Sequence, residues 1–202
     1  MNKLTRKSVE GQRSELFHMI IFAMPWVMIG EYSWDFSDYA LGAILVLIMV
    51  VTLGLYSIKL YELEDKLPGE DLINYHIKSS AQENKRQWLF ALIFILEGVA
   101  ILITWMVLLK WHREHWLIPC FAFIAGAHFF PLAKIIGHSS YYILGIWVCV
   151  VAIVGFLVLY HHIFSFEIAN TLIAYSCAAG AIVDGFGVVA RTLNIYKPSK
   201  SD

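Results

Sequence analysis

The sequence predicts an all-α integral membrane protein, a bundle of six transmembrane helices with both termini cytoplasmic, and three observations lead there. Of 202 residues, 59% are hydrophobic and only 15% charged, against about 25% charged in soluble domains. Mean hydropathy is +0.65. The apolar residues are also gathered into long blocks separated by short polar stretches, and most basic residues fall on alternate connections. A net charge of −1 leaves no basic footprint, so nucleic acid is excluded as a partner. Cys120, Cys149 and Cys177 are odd in number and all lie in apolar blocks, which excludes a secreted disulfide scaffold.

A helix rises about 1.5 Å per residue, so a hydrocarbon core of about 30 Å takes roughly 20 apolar residues. Six stretches meet that need within one membrane domain, residues 1–202. The first, Leu16–Gly30, carries Pro25, which removes one backbone hydrogen bond and kinks a helix. Its basic start resembles a signal peptide, but Met28-Ile29-Gly30-Glu31 offers no small-x-small cleavage site, so it reads as an uncleaved span. The second, Tyr39–Ile58, and the fifth, Tyr141–Tyr160, contain no charge. Trp88 and Trp111 bracket the third, Trp88–Leu109, and Trp116 opens the fourth, Trp116–Ile136. Amphipathic rings settle at the headgroup level, so these mark the membrane surfaces. Trp147 and Tyr175, deep in their spans, read as ordinary packing. The sixth span is Ile168–Leu193.

Basic residues set the orientation. With the N-terminus inside, the inner segments hold Lys3, Arg6, Lys7, Arg13, Lys59, Lys66, Lys78, Lys85, Arg86, Lys134, Arg191, Lys197 and Lys200. The outer segments hold only Lys110 and Arg113, and the first outer loop carries Glu31, Asp35 and Asp38. The one long connection, 59–87, is a cytoplasmic connector with a Pro68-Gly69 turn. Beyond it, Leu72, Ile73 and Ile77 give a narrow apolar stripe, suited to a helix on the inner surface or one running into the third span.

A charge at the bilayer centre costs about 2.5–3.5 kcal/mol on insertion scales, so such residues face the bundle interior and have partners. Glu97, His128 and Asp184 meet that description. From the helical rise, Glu97 lies about 13 Å, His128 about 12 Å and Asp184 about 10 Å from the same inner edge. One layer therefore holds two carboxyls and an imidazole. On the sixth span Cys177, Gly180, Ala181, Asp184, Gly187 and Arg191 share a face, and Arg191 leans back toward Asp184. Pro131 shares the face of His128 and loosens local hydrogen bonding. Such a set suits a proton relay or a cation site, since imidazole titrates near neutral pH. An interior network that only fixes helix packing is the alternative.

A second constellation lies outside: His112 and His115 with Glu114 between them, and His161 with His162. Imidazoles with a carboxylate bind zinc or copper where they meet, but two short loops need not meet, and no metal or other cofactor is expected. Enzyme signatures fail. Gly137-His138-Ser139-Ser140 is not a nucleophile elbow, and Asp184-Gly185 with Ala190-Arg191 has two residues too many for the D-G-x-x-A-R signature of CDP-alcohol phosphotransferases.

The run His128-Phe129-Phe130-Pro131-Leu132-Ala133, followed by Tyr141-Tyr142, resembles families of small bacterial multipass membrane proteins of unknown function. That resemblance implies a bacterial inner-membrane protein and adds nothing on mechanism. The residues themselves lead to a transporter or channel-like protein for a proton, cation or small solute, using Glu97, His128, Asp184 and Arg191. The alternative is a non-transporting structural or accessory protein. The bilayer is the certain partner of such a chain; a small solute or ion and a homo-oligomer are further expectations.

Overall fold

A computed structural model describes residues 6–33, 39–66 and 72–195. The predicted Pro68-Gly69 turn, the loop acids Asp35 and Asp38, and Lys3, Lys197 and Lys200 lie outside the described residues. Within them the chain forms six α-helices and no strand: α1 (Arg6–Ser33), α2 (Tyr39–Lys66), α3 (Leu72–Lys110), α4 (Leu117–Ile136), α5 (Ser140–Tyr160) and α6 (Phe166–Ile195). A short 3₁₀ turn, Glu114–Trp116, joins α3 to α4.

Five of these helices, α1, α3, α4, α5 and α6, contain stretches long and apolar enough to cross a membrane. The first such stretch runs Gly11–Ser33, wider at both ends than the sequence suggests. Neither Pro25 nor Pro131 breaks its helix. Both prolines are exposed on the bundle surface. Helix α2 continues to Lys66 and α3 begins at Leu72, so helix covers most of the 59–87 connection.

Consecutive helices alternate in direction, so both described ends of the chain lie at one end of the bundle, here the termini end. Helix α1 packs most closely on α6 and then on α2; α4 packs on α5 and then on α3; α5 and α6 join the two groups. The core between them is built from small and medium side chains, among them Met19 and Ala23 of α1, Leu144 and Val148 of α5, and Cys177 and Ala181 of α6, all at most 2% exposed. Lipid is as apolar as these side chains, so close packing rather than exclusion from water holds them together. Gly126 and Gly145 let α4 and α5 approach backbone to backbone: a Cβ on Gly126 would sit 2.8 Å from the Cys149 backbone nitrogen.

Helix ends leave carbonyls without partners, and here they are closed in two ways. At the termini end, Gly137 ends α4 with φ 80 and donates its N–H to the Ala133 carbonyl at 2.8 Å. Arg86 of α3 then donates to the Ile135 carbonyl at 2.9 Å and the Ile136 carbonyl at 2.8 Å. At the opposite end, His112 and His162 occupy matching left-handed positions, each with φ 53, just past α3 and α5. The next residue in each case folds back, Arg113 N–H to Leu108 carbonyl at 2.9 Å and Ile163 N–H to Val158 carbonyl at 3.1 Å. This is Schellman-type closure with histidine where glycine is usual. Two of the four histidines at this end therefore have a backbone duty.

Candidate functional site: two buried polar clusters

Glu97 and His128 come together. Helix α3 packs on α4, and their equal depth brings Glu97 Oε1 to 3.2 Å from His128 Nδ1. The contact is an ion-pair distance in which the ring nitrogen is not aligned for a hydrogen bond. Both side chains are largely buried, at 6% and 14% exposure for His128 and Glu97. The imidazole sits among aromatic rings, with centroids at 4.3 Å to Phe129, 5.6 Å to Phe94 and 6.2 Å to Phe22.

Asp184 belongs to a different group. The charged side chains that act on it are Glu15, Arg191 and His138. At the centre of this second cluster is Glu15 of α1, which is 2% exposed. The Ser140 hydroxyl, at the start of α5, donates to Glu15 Oε1 at 2.6 Å. Arg191 Nη2 lies 3.4 Å from the same oxygen, and His138 Nδ1 lies 3.6 Å from Oε2. Arg191 therefore pairs with Glu15 across the α1–α6 contact, rather than only leaning along its own helix toward Asp184. Three buried atoms nearby have no protein hydrogen-bond partner: Gln12 Oε1, Tyr141 Oη and Asp184 Oδ2. Tyr141 is close enough to feel both carboxylates.

Among the described residues the charges in this cluster do not balance. Glu15 and Asp184 supply two negative charges when ionised, and Arg191 supplies one positive charge. One further proton or cation completes neutrality, placed on a carboxyl, on His138 or between them. Charges withdrawn from water demand such compensation.

Phe129 separates the two clusters, lying against His128 on one side and 6.0 Å from the Tyr141 ring on the other. The layer drawn from sequence thus becomes two groups flanking one ring. Sequence reasoning passed over Glu15, which stands in a basic flank and just outside the apolar run. It also passed over Glu31, placed in a loop. In the structure Glu31 ends α1 and is buried, accepts the Tyr175 hydroxyl of α6, and faces Gly42 of α2 so closely that no Cβ fits there. Tyr175 is half-buried, whereas Trp147 is 48% exposed rather than packed within the bundle; each makes a hydrogen bond, Trp147 Nε1 donating to the Ser176 carbonyl at 2.9 Å.

Of the histidines at the end opposite the termini, His115 and His162 come to line the same two clefts, while His112 and His161 do not line them. Among the described residues, no three His, Cys, Asp or Glu side chains gather closely enough to hold a metal ion.

The model of a family described as a family of unknown function (DUF7010) matches residues 72–183, from the start of α3 to one residue before Asp184. The matched region contains the Glu97–His128 pair and both turns at the end opposite the termini. No curated protein and no solved structure matches the chain.

Proposed function

The chain belongs to the DUF7010 family of unknown function, and on that premise we propose a six-span protein of a bacterial inner membrane that moves a proton or small cation through its buried polar groups. Helix α2, 28 residues long, supplies the sixth span, because Tyr39–Ile58 carries no charge. Cytoplasmic termini are supported by Lys59, Lys85, Arg86 and Lys134 at the termini end, against Lys110 and Arg113 at the other.

One observation carries the proposal: a buried carboxylate, Glu15, shares its surroundings with a second carboxyl, Asp184, and, among the described residues in contact with it, one guanidinium, Arg191. A site short of one positive charge takes up a proton or a cation, and one near the cytoplasmic edge can exchange it with water through half-exposed His138. Glu97 and His128, across Phe129, form a second proton-holding pair. The test is flux into liposomes carrying the full chain, with a pH gradient or a cation gradient, for wild type, Glu15→Gln, Asp184→Asn and Glu97→Gln. Flux that falls in the two cluster variants supports the reading. Flux that is absent in wild type, or equal in all four, ends it. The Ser140–Glu15 hydrogen bond, which ties α1 to α5, favours a second reading in which the cluster only fixes the helices; there the same variants lose stability and flux stays at background.

A further inference from the structure

The two outer clefts differ in charge in a way that one class of molecule matches. They occupy about 500 Å³ and about 430 Å³ where the α3–α4 and α5–α6 turns meet, and both are lined by His115, His162 and Leu159. Beyond these shared residues the larger cleft holds acceptors: the Glu114 carboxylate, and Asn170, which is 7% exposed and whose Oδ1 has no hydrogen-bond partner. The smaller holds the Arg113 guanidinium, with Leu108 and Trp116 alongside. Arg113 and Glu114 are neighbours in sequence, yet the turn sends their opposite charges into different clefts. Trp111, Trp116 and Tyr160 set this end of the bundle at headgroup depth.

We propose that the paired clefts bind the headgroup of a phosphoethanolamine lipid. The phosphate lies in the smaller cleft against Arg113, whose planar guanidinium suits phosphate oxygens, with the shared imidazoles offering N–H donors. The ammonium crosses to the larger cleft, where Glu114 supplies the opposite charge and Asn170 Oδ1 accepts an N–H. Leu108 and Leu159 meet the carbons below the phosphate. A phosphoglycerol headgroup leaves Glu114 and Asn170 without a cation. A phosphocholine headgroup brings a cation with no N–H for Asn170. The proposal rests on the membrane reading and not on flux, so it can fail while the proton or cation reading stands, and the reverse.

The full chain in detergent is titrated with phosphoethanolamine, phosphocholine and phosphoglycerol lipids of identical acyl chains, and bound lipid is read by native mass spectrometry. Wild type is expected to retain the phosphoethanolamine lipid preferentially. Glu114→Gln should weaken the phosphoethanolamine and phosphocholine lipids alike by about fivefold, the size of one partly exposed charge contact, and leave phosphoglycerol unchanged. Arg113→Ala should weaken all three. Equal retention of phosphoethanolamine and phosphocholine by wild type, or preference for phosphoglycerol, overturns the proposal.

Discussion

The Ser140 hydroxyl donates to Glu15 Oε1 at 2.6 Å, joining the first turn of α5 to α1 across 125 positions of sequence. Because Glu15 is also the acceptor facing Arg191, one carboxylate holds α1, α5 and α6 together at the termini end. Removing it leaves a buried hydroxyl without its acceptor and leaves Arg191 with Asp184 alone. Breaking a fully buried ion pair costs roughly 3–5 kcal/mol. Arg191, with its side chain 54% exposed, recovers part of that through water and headgroups. Glu15→Ala should therefore destabilise by about 2–3 kcal/mol, and Glu15→Gln, which keeps an acceptor for Ser140, by about 1 kcal/mol. Thermal unfolding in detergent checks both, and an unchanged midpoint in Glu15→Ala would remove the cluster's structural role.

The Glu97–His128 pair should behave as a coupled unit. Glu97→Leu leaves an unpaired imidazole among Phe22, Phe94 and Phe129, and His128→Leu leaves a largely buried carboxylate unpaired. Each single change should cost about 1–3 kcal/mol, while the double apolar variant recovers most of the loss, since a well-packed apolar replacement of a buried pair is often neutral. A double-mutant cycle of unfolding free energies measures the coupling; additivity of the two losses would show that the 3.2 Å contact carries no energy.

Arg86 fastens α3 to the end of α4. Its two hydrogen bonds, to the Ile135 and Ile136 carbonyls, satisfy acceptors that the helix itself cannot, and its charge opposes the negative end of the α4 dipole. Arg86→Ala should cost about 1.5–3 kcal/mol, and Arg86→Lys should recover only part, because an ammonium does not reproduce the guanidinium fork. Hydrogen exchange at the last turn of α4 and at Gly137 should rise in Arg86→Ala; protection equal to wild type would exclude the cap.

How much of this could be read from sequence follows from what each signal measures. Blocks of apolar residues fix where helices run, because a bilayer admits little else, so five membrane-capable helices lie where hydropathy puts them. Depth arithmetic gives a height along the membrane normal and no direction around it. Glu97 and His128 share a height and sit on helices that pack together, and they touch. Asp184 takes a similar height from that arithmetic, but α6 packs on α1 and α5, and its neighbours are Glu15, Arg191 and His138 of the termini end instead. Glu15 was hidden by its place in a flank of Arg6, Lys7 and Arg13, where an acid reads as solvated. Its only sequence signal is standing directly before that apolar run, where the flank's other acid, Glu10, lies five residues farther out.

His112 and His162 close α3 and α5 in a backbone region that costs a residue with a Cβ about 1–2 kcal/mol. Glycine relieves that strain and loses roughly 0.5–1 kcal/mol through its freer unfolded chain. His112→Gly should therefore be neutral or stabilising by up to about 1 kcal/mol, and His112→Val, β-branched at φ 53, should destabilise by about 1–2 kcal/mol. His112 lines neither outer cleft, so lipid retention should not change in either variant. Thermal unfolding that falls in His112→Gly as far as in His112→Val would show that the imidazole, rather than the backbone, matters at this turn.

Two glycines inside apolar helices should respond to alanine in opposite directions. Gly126 of α4 faces α5 where a Cβ would lie 2.6 Å from Cys149 Sγ and 2.8 Å from the Cys149 backbone nitrogen. A side chain can rotate away; a helix backbone cannot without moving α5, and Gly145 opposite has no room to yield, with the Gly126 carbonyl already 3.0 Å from its own Cβ position. Gly126→Ala should cost about 1–3 kcal/mol. Gly98 of α3 has nothing within 4 Å of its Cβ position, so alanine there only restricts the unfolded chain and should be neutral or stabilising by up to about 1 kcal/mol. Unfolding of the two variants side by side tests whether α4 and α5 meet backbone to backbone, because a loss at Gly98 equal to that at Gly126 would mean that glycine matters here for the helix alone and not for the contact.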